Sequence, residues 1–262
     1  MESYDPEPKE AQLSSEITNI SFDDNVEPKV AYINKDIIVI DNVLTQHECL
    51  QIKSLIDNLS DKLSNGRKKA CKKFNNLTDL IMKRCSEHIP SYVHTDYDVK
   101  ISDHHNDDYN YWGMPTINDS WRLVKCEKGS SLSLHYDSTY VKSVDLKSFY
   151  TIMIYLSDND DGPTHFKKYD LDVLSKQGRL VLFNQKLLHE GLPNYSSEKY
   201  FIRSEIMYRR SKSIASESDA EAIKIYNEAK KLYNFDPEKS LQLEKTAFSL
   251  SPILETLIYD NI

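Results

Sequence analysis

Glycine is nearly missing from this chain, with six in 262 residues against roughly 7% in average proteins. All six lie between Gly66 and Gly191, and four of them between Gly129 and Gly191. Where glycine is this scarce it stays where the backbone needs it, so residues 129–191 are expected to hold the tight turns around a site. Long apolar runs are missing too. Stretches such as 150–156 are strand-sized, far from the roughly 18 residues of a membrane helix, so no membrane partner is expected. The start, Met-Glu-Ser-Tyr-Asp-Pro-Glu, has neither a basic n-region nor an apolar h-region. A secretory signal is therefore not expected, and the predicted location is cytoplasmic or nuclear, not secreted. Cys49, Cys71, Cys85 and Cys126 form no CxxC pair and read as reduced thiols.

What is present is one core under a very polar surface: 39% hydrophobic residues and a mean hydropathy of −0.58. The length suits one large domain, or one with a small appendage. Net charge is −8, but residues 1–29 hold eight acids against Lys9 and Lys29. With the rest near neutral, no global field attracts nucleic acid, which is not the expected partner. One local exception is residues 62–84, with eight basic residues and the single acid Asp79. It reads as a solvated helix and loop face, or as a surface for an acidic partner.

Residues 1–29 are acidic and nearly free of apolar periodicity, and are expected to be disordered. The run Ile-Ile-Val-Ile at 37–40 predicts a buried strand. Thr45-Gln-His-Glu48 is a capping box, followed at helical spacing by Ile52, Leu55, Ile56 and Leu59. Leu77, Leu80, Ile81 and Cys85 predict a second helix, and the polar, aromatic stretch 94–120 a long loop. From Trp121 short segments alternate, with strands expected at 131–136, 149–156, 179–183 and 199–208. Such spacing suggests a sandwich, jelly roll or barrel. From Ser218 the pattern returns to helix, with a second helix from about Pro237 that Pro252 closes. Residues 219–252 match the length of one tetratricopeptide unit or a helical hairpin packed on the domain.

On a strand spanning 131–137, a period of two puts His135 and Asp137 on one face. Two imidazoles and one carboxylate leave coordination positions open and suit ferrous iron. His-x-Asp alone is a weak signal, and a single histidine is most often a surface or hydrogen-bonded residue. The third ligand would be His165 or His189. His165 points opposite to Thr164 and Phe166 on a strand, whereas His189 follows a strand and opens a turn-like His-Glu-Gly-Leu-Pro.

In order, Leu134-His-Tyr-Asp137, Tyr155-Leu-Ser-Asp158, Gly162-Pro-Thr-His-Phe166, Gly178-Arg-Leu-Val-Leu-Phe183, His189-Glu-Gly-Leu-Pro193 and Lys199-Tyr resemble the 2-oxoglutarate- and iron(II)-dependent dioxygenases. The likeness is greatest to the prolyl 4-hydroxylase and lysyl hydroxylase branch, over about residues 121–208. It implies a mixed α and β fold: a double-stranded β-helix (jelly roll) core with N-terminal bracing helices and a C-terminal helical hairpin. The dioxygenase domain would span 30–212 and the helical appendage 213–262, the latter a candidate dock for a partner or a second copy. By the same resemblance His135, Asp137 and His189 hold Fe(II) and are the catalytic set. The far carboxylate of 2-oxoglutarate needs a cation, Lys199 by register or Arg203 by its bidentate fork. Tyr155 and Thr164 line the same cosubstrate site. O2 and L-ascorbate (vitamin C) are implied with it.

Two departures stand out. Pro163 replaces the second glycine of the family's pair, and Cys126 stands where a tyrosine is usual. The resemblance implies hydroxylation of a prolyl or lysyl side chain in an intracellular protein or peptide, with release of succinate and CO2. Two rivals remain: a catalytically silent binding module on this fold, and a nucleobase oxidative demethylase, to which Arg203 and Arg209 would be suited.

Overall fold

The structure, a computed structural model, describes residues 20–23, 25–58, 66–95 and 110–259. Its strands are β1 (Lys29–Ile33), β2 (Ile37–Asp41), β3 (Arg67–Lys73), β4 (Tyr92–His94), β5 (Tyr111–Ile117), β6 (Ser120–Cys126) and β7 (Leu132–His135). Then follow β8 (Val141–Ser143), β9 (Leu146–Tyr155), β10 (Thr164–Phe166), β11 (Leu171–Val173), β12 (Leu180–Asn184), β13 (His189–Gly191) and β14 (Lys199–Arg210). The helices are α1 (Gln46–Asn58), α2 (Asn75–Cys85), α3 (Glu217–Leu232), α4 (Pro237–Leu250) and α5 (Pro252–Tyr259).

The strands make two antiparallel sheets. The larger runs β1-β2-β12-β9-β14-β5-β4, with β6 also on β14, β3 on β6 and β8 on β9. The smaller runs β11-β10-β13-β7. Alternation along the central strands explains their unbroken apolar runs. Ile37, Val39, Met153, Tyr155, Val181 and Phe183 turn inward and meet Phe166 and Val173 of the smaller sheet. Ile38, Ile40, Ile152, Ile154, Leu180 and Leu182 turn outward under the helices. Both faces are buried, so the pattern is continuous instead of alternating apolar and polar. The result is a double-stranded β-helix with helices bracing the outer face of its larger sheet.

Helix α1 starts as its capping box requires. Thr45 N–H donates to Glu48 Oε2 at 2.7 Å, and Glu48 N–H donates to Thr45 Oγ1 at 3.2 Å. Glu48 also takes a bidentate pair from Arg84 of α2, at 2.9 and 2.8 Å. Both side chains are buried, 1% and 5% exposed. Burial alone would raise the Glu48 pKa, but Arg84 and the backbone N–H groups of Thr45 and Asp23 hold it below the ordinary value. Glu48→Gln keeps the cap acceptor and strands the Arg84 charge, so a loss of about 3 kcal/mol is expected near pH 7. Because the folded pKa is depressed, this stability is present above the ordinary carboxylate pKa and is lost as pH falls through the folded value. Urea unfolding of both proteins should therefore show a gap that closes in acid.

Several expectations are corrected. Within the expected loop 94–120, residues 111–117 form β5 and Ser120 opens β6; the two strands lie end to end along β14, interrupted at Asn118 and Asp119, and residues 96–109 lie outside the described ones. Strand β5 was hidden because its two buried side chains, Trp112 and Ile117, lie five apart, which breaks the alternation of a strand, among glycine, proline, threonine and exposed residues. The basic stretch 62–84 contains strand β3 as well as α2. Strand β7 ends at His135, so Asp137 follows the strand instead of lying on it. Helix α4 ends at Leu250, and Pro252 opens α5, in keeping with proline's fit to a first helical position. Of the tail expected to be disordered, 1–19 lies outside the described residues. Ile20 and Phe22 pack against the core, two apolar contacts that the acidic composition masked. Helices α3, α4 and α5 contribute Ala222, Ala247, Leu254 and Leu257 to that same core.

Candidate metal centre and cosubstrate pocket

The triad is assembled by strand pairing. His189 on β13 lies directly opposite His135 on β7, which sets their ring centroids 4.3 Å apart. The irregular segment after β7 sets Asp137 beside them. One ligand atom from each of His135, Asp137 and His189 lies within 4.8 Å of the others. Each imidazole has its Nδ1 at a backbone carbonyl, Ser133 O at 2.8 Å for His135 and Leu187 O at 2.9 Å for His189. A carbonyl only accepts, so each Nδ1 carries the proton and each Nε2 keeps a lone pair. Those Nε2 atoms face the Asp137 carboxylate at 3.7 and 4.0 Å. This donor set fits a divalent transition metal such as Fe(II), with coordination positions to spare.

Electrostatics favour the same protonation states. Burial lowers the His189 pKa, keeping its imidazole neutral. Burial would raise the Asp137 pKa, but Arg203, His135 and His189 hold its carboxyl well below the usual range. Arg203 Nη1 lies 2.7 Å from Asp137 Oδ1, and Thr151 Oγ1 donates to Oδ2 at 2.5 Å.

Beside the triad, a pocket of about 590 Å³ counting its open mouth is lined by Tyr155, Thr164, Lys199, Phe201 and Arg203, among others. Lys199 is 5% exposed, and its Nζ donates to the Gly162 carbonyl at 2.7 Å. Burial pulls its pKa down. Tyr155 and Thr164 share a hydrogen bond of 2.7 Å. Cys126 lies opposite Lys199 in the strand register and also lines the pocket.

The two rival cations are thus separated: Lys199 stands in the pocket wall on the Gly162 carbonyl, while Arg203 grips Asp137. His165, the other histidine considered, pairs with Asp172 at 2.8 Å and takes no part. Arg209 is exposed and outside the pocket lining, because a register shift between Ile206 and Met207 breaks the period that links it to Arg203. Thr151 was missed by the sequence reading, although a period of two from Tyr155 and Met153 would have reached it. Arg67, which also lines the pocket, comes from outside the motif region and carries no such signal.

Residues 121–204, about a third of the chain, match the family model of the 2OG-Fe(II) oxygenase superfamily. This segment is thus similar to that superfamily. The match spans β6 to β14 and includes all three triad residues, so the superfamily's cofactors, Fe(II) and 2-oxoglutarate, suit the site built here. Solved structures similar to the chain include a viral collagen prolyl hydroxylase from Paramecium Bursaria Chlorella virus-1, in complex with 2OG. It is 20% identical, with a TM-score of 0.48, over 66% of this chain and 96% of that one. A prolyl 4-hydroxylase from Phytophthora capsici is 15% identical, with a TM-score of 0.43, over 86% and 82%. A 2OG-Fe(II) oxygenase family oxidoreductase from Burkholderia pseudomallei is 13% identical, with a TM-score of 0.43, over 67% and 84%. Among curated proteins, none matches this chain.

Proposed function

We propose that the protein is an Fe(II)- and 2-oxoglutarate-dependent dioxygenase that hydroxylates a prolyl or lysyl side chain of an intracellular protein or peptide, in the cytoplasm or nucleus. The observation that carries this reading is the pair of carbonyl-anchored histidines whose Nε2 atoms converge on Asp137. Iron held there with 2-oxoglutarate supplies oxidising chemistry that consumes O2, releases succinate and CO2, and hydroxylates a C–H bond, with L-ascorbate as the sustaining reductant. The chain's own share is to orient the ligands and the cosubstrate and to keep the pocket walls apolar.

Lys199 is the cation for the far carboxylate of 2-oxoglutarate. A buried ammonium satisfied by one carbonyl gains a charge-assisted bond when a carboxylate arrives. Tyr155 and Thr164 stand ready to share that carboxylate. Arg203 has a different task, holding the Asp137 carboxylate in its ionised, oriented form. Lys199→Met should therefore weaken 2-oxoglutarate binding by at least about tenfold. Arg203→Met should leave that affinity within about threefold and weaken metal binding instead, by roughly 10–100-fold. Titration calorimetry with 2-oxoglutarate and manganese(II) separates the two; the opposite pattern would exchange their roles.

The enzyme reading itself is tested by succinate release from the purified chain with iron(II), ascorbate, 2-oxoglutarate and a peptide panel. No succinate together with no 2-oxoglutarate binding would leave a silent binding module. The Arg203–Asp137 ion pair, which sets a cation against the metal-facing carboxylate, is the observation that favours that second reading.

A further inference from the structure

Three strands run side by side at the mouth of the pocket: β3, β6 and β14. Their register aligns Arg67 with Cys126 and Lys199, Lys69 with Val124 and Phe201, and Cys71 with Arg122 and Arg203. Residues in direct cross-strand register share a face. The face that lines the pocket through Lys199, Phe201 and Arg203 therefore also carries Arg67, Lys69, Lys73 and Arg122. This is the basic stretch that the composition of residues 62–84 singled out, now turned toward the candidate active site. We propose that this face is the wall on which the substrate docks, and that it takes an acidic peptide. The proposal rests on the dioxygenase reading, and it supplies the substrate class which that reading leaves open.

Lysines on a border strand have a plain structural use, since they discourage edge-to-edge aggregation, and among the described residues β3 pairs only with β6. Two observations go beyond that use. Arg67 is half-buried and lines the pocket, and its Nε is buried with no hydrogen-bond partner. The Nε of Arg203, at the other end of the wall, is also buried without a partner. Gatekeeper side chains would be solvated; these two guanidinium groups each keep a donor turned away from water.

Lys69 is desolvated between them. Burial, then Arg203 and Arg122, pull its pKa down to about 8, the response of an ammonium crowded by like charge. Asp137 offsets Arg203, and Glu205 pairs with Arg122. Strand β3 itself holds no acid, so it adds only positive charge to this face.

From Arg67 to Arg203 is two strand spacings across and four residues along, roughly 16 Å. An extended peptide covers that with about five residues. Carboxylates flanking the target residue would meet the guanidinium groups bidentately, while the target side chain enters beside the triad. The net charge of −8 and the shortness of the wall favour this occupant over a nucleic acid, whose binding draws on many phosphate contacts.

The probe is a fluorescein-labelled peptide with a central proline flanked by glutamates, compared with its glutamine counterpart, by anisotropy on the full chain. The glutamate peptide should bind at least about tenfold more tightly, with the gap narrowing as salt rises. In the Arg67→Gln/Lys69→Gln variant the two peptides should bind within about twofold of each other, at an unchanged melting temperature. Lys73→Glu, at an exposed position, should weaken the glutamate peptide about threefold and guards against a misfolded double variant.

Equal binding of the two peptides by the native chain would overturn the proposal. So would a preference that survives in both variants, or a single-stranded oligonucleotide that outcompetes the acidic peptide. Calorimetry with 2-oxoglutarate on the same native protein keeps the two readings apart. Acidic-peptide binding without cosubstrate binding sinks the enzyme and keeps the wall; the reverse does the opposite.

Discussion

Asp137→Ala and His189→Ala should each abolish succinate release and weaken iron(II) binding by more than about a hundredfold. Residues that merely orient metal ligands are worth roughly 10–100-fold, and these two offer the ligand atoms themselves. His165→Ala is the control. Its ring is engaged with Asp172 and stands outside the triad, so iron affinity and turnover should be unchanged. Competition against a chromogenic chelator reads the affinity, and a coupled succinate assay reads the turnover. A His189→Ala protein that keeps full iron affinity would sink the triad.

The pH dependence of iron binding follows from the same geometry. Asp137 is held ionised well below the usual carboxylate range, and His189 is depressed by burial. Protonation of the carboxylate therefore cannot set the acid limit of binding, whereas protonation of imidazole can. Binding should weaken as the histidines take up protons, below the ordinary histidine range for His189, and Asp137 should contribute only at much lower pH. Asp137→Ala also removes the acceptor of Thr151 and the partner of Arg203. Its melting temperature should fall further than that of His189→Ala, which strands no charge.

The triad was legible in the sequence because its chemistry is local. His135 and Asp137 are two apart, and His189 could be preferred over His165 from strand parity together with its place in a turn-like segment after a strand. Lys199 was legible by register as a pocket residue, and it lines the pocket. What was not legible is long-range pairing between regions of dissimilar composition. Strand β3 reads as a run of surface charge, yet Ala70 is its one fully buried side chain, too faint a period to reveal a strand. Its partner β6 opens the motif region, and only that pairing places Arg67 beside Cys126. Arg203 shows the same limit. Its face was correct, but that its guanidinium reaches Asp137 instead of the far end of the pocket depends on the irregular segment after β7, whose course the sequence does not encode locally. The smaller sheet was also hidden, since β10, β11 and β13 have three residues each, too short for any periodicity to register.

Gly178→Ala should cost about 4 kcal/mol or more, the range reserved for changes that the backbone cannot absorb. Two independent faults meet there. Gly178 has φ +78°, and an added Cβ would sit 2.1 Å from the Leu44 carbonyl oxygen. That oxygen belongs to backbone, so no side chain can swing aside. Neither can the glycine retreat, because its carbonyl accepts from Val43 N–H at 2.8 Å and its N–H donates to the Tyr155 carbonyl at 2.9 Å. Gly178 thus rivets the entry of β12 both to β9 and to the segment that leads into α1. Gly129→Ala is the comparison: φ is +80°, but the nearest atom to its Cβ would be 4.0 Å away on Tyr195. Only the left-handed backbone penalty remains, about 1–2 kcal/mol. Thermal melts should show a drop of at least roughly 8 °C for Gly178→Ala and about 2–6 °C for Gly129→Ala. Equal shifts would mean that the Leu44 contact is soft. The scarcity of glycine then acquires two meanings, for Gly191 lines the pocket and Gly162 receives Lys199, whereas Gly178 is kept for the joint between sheet and helix layer, away from the pocket lining.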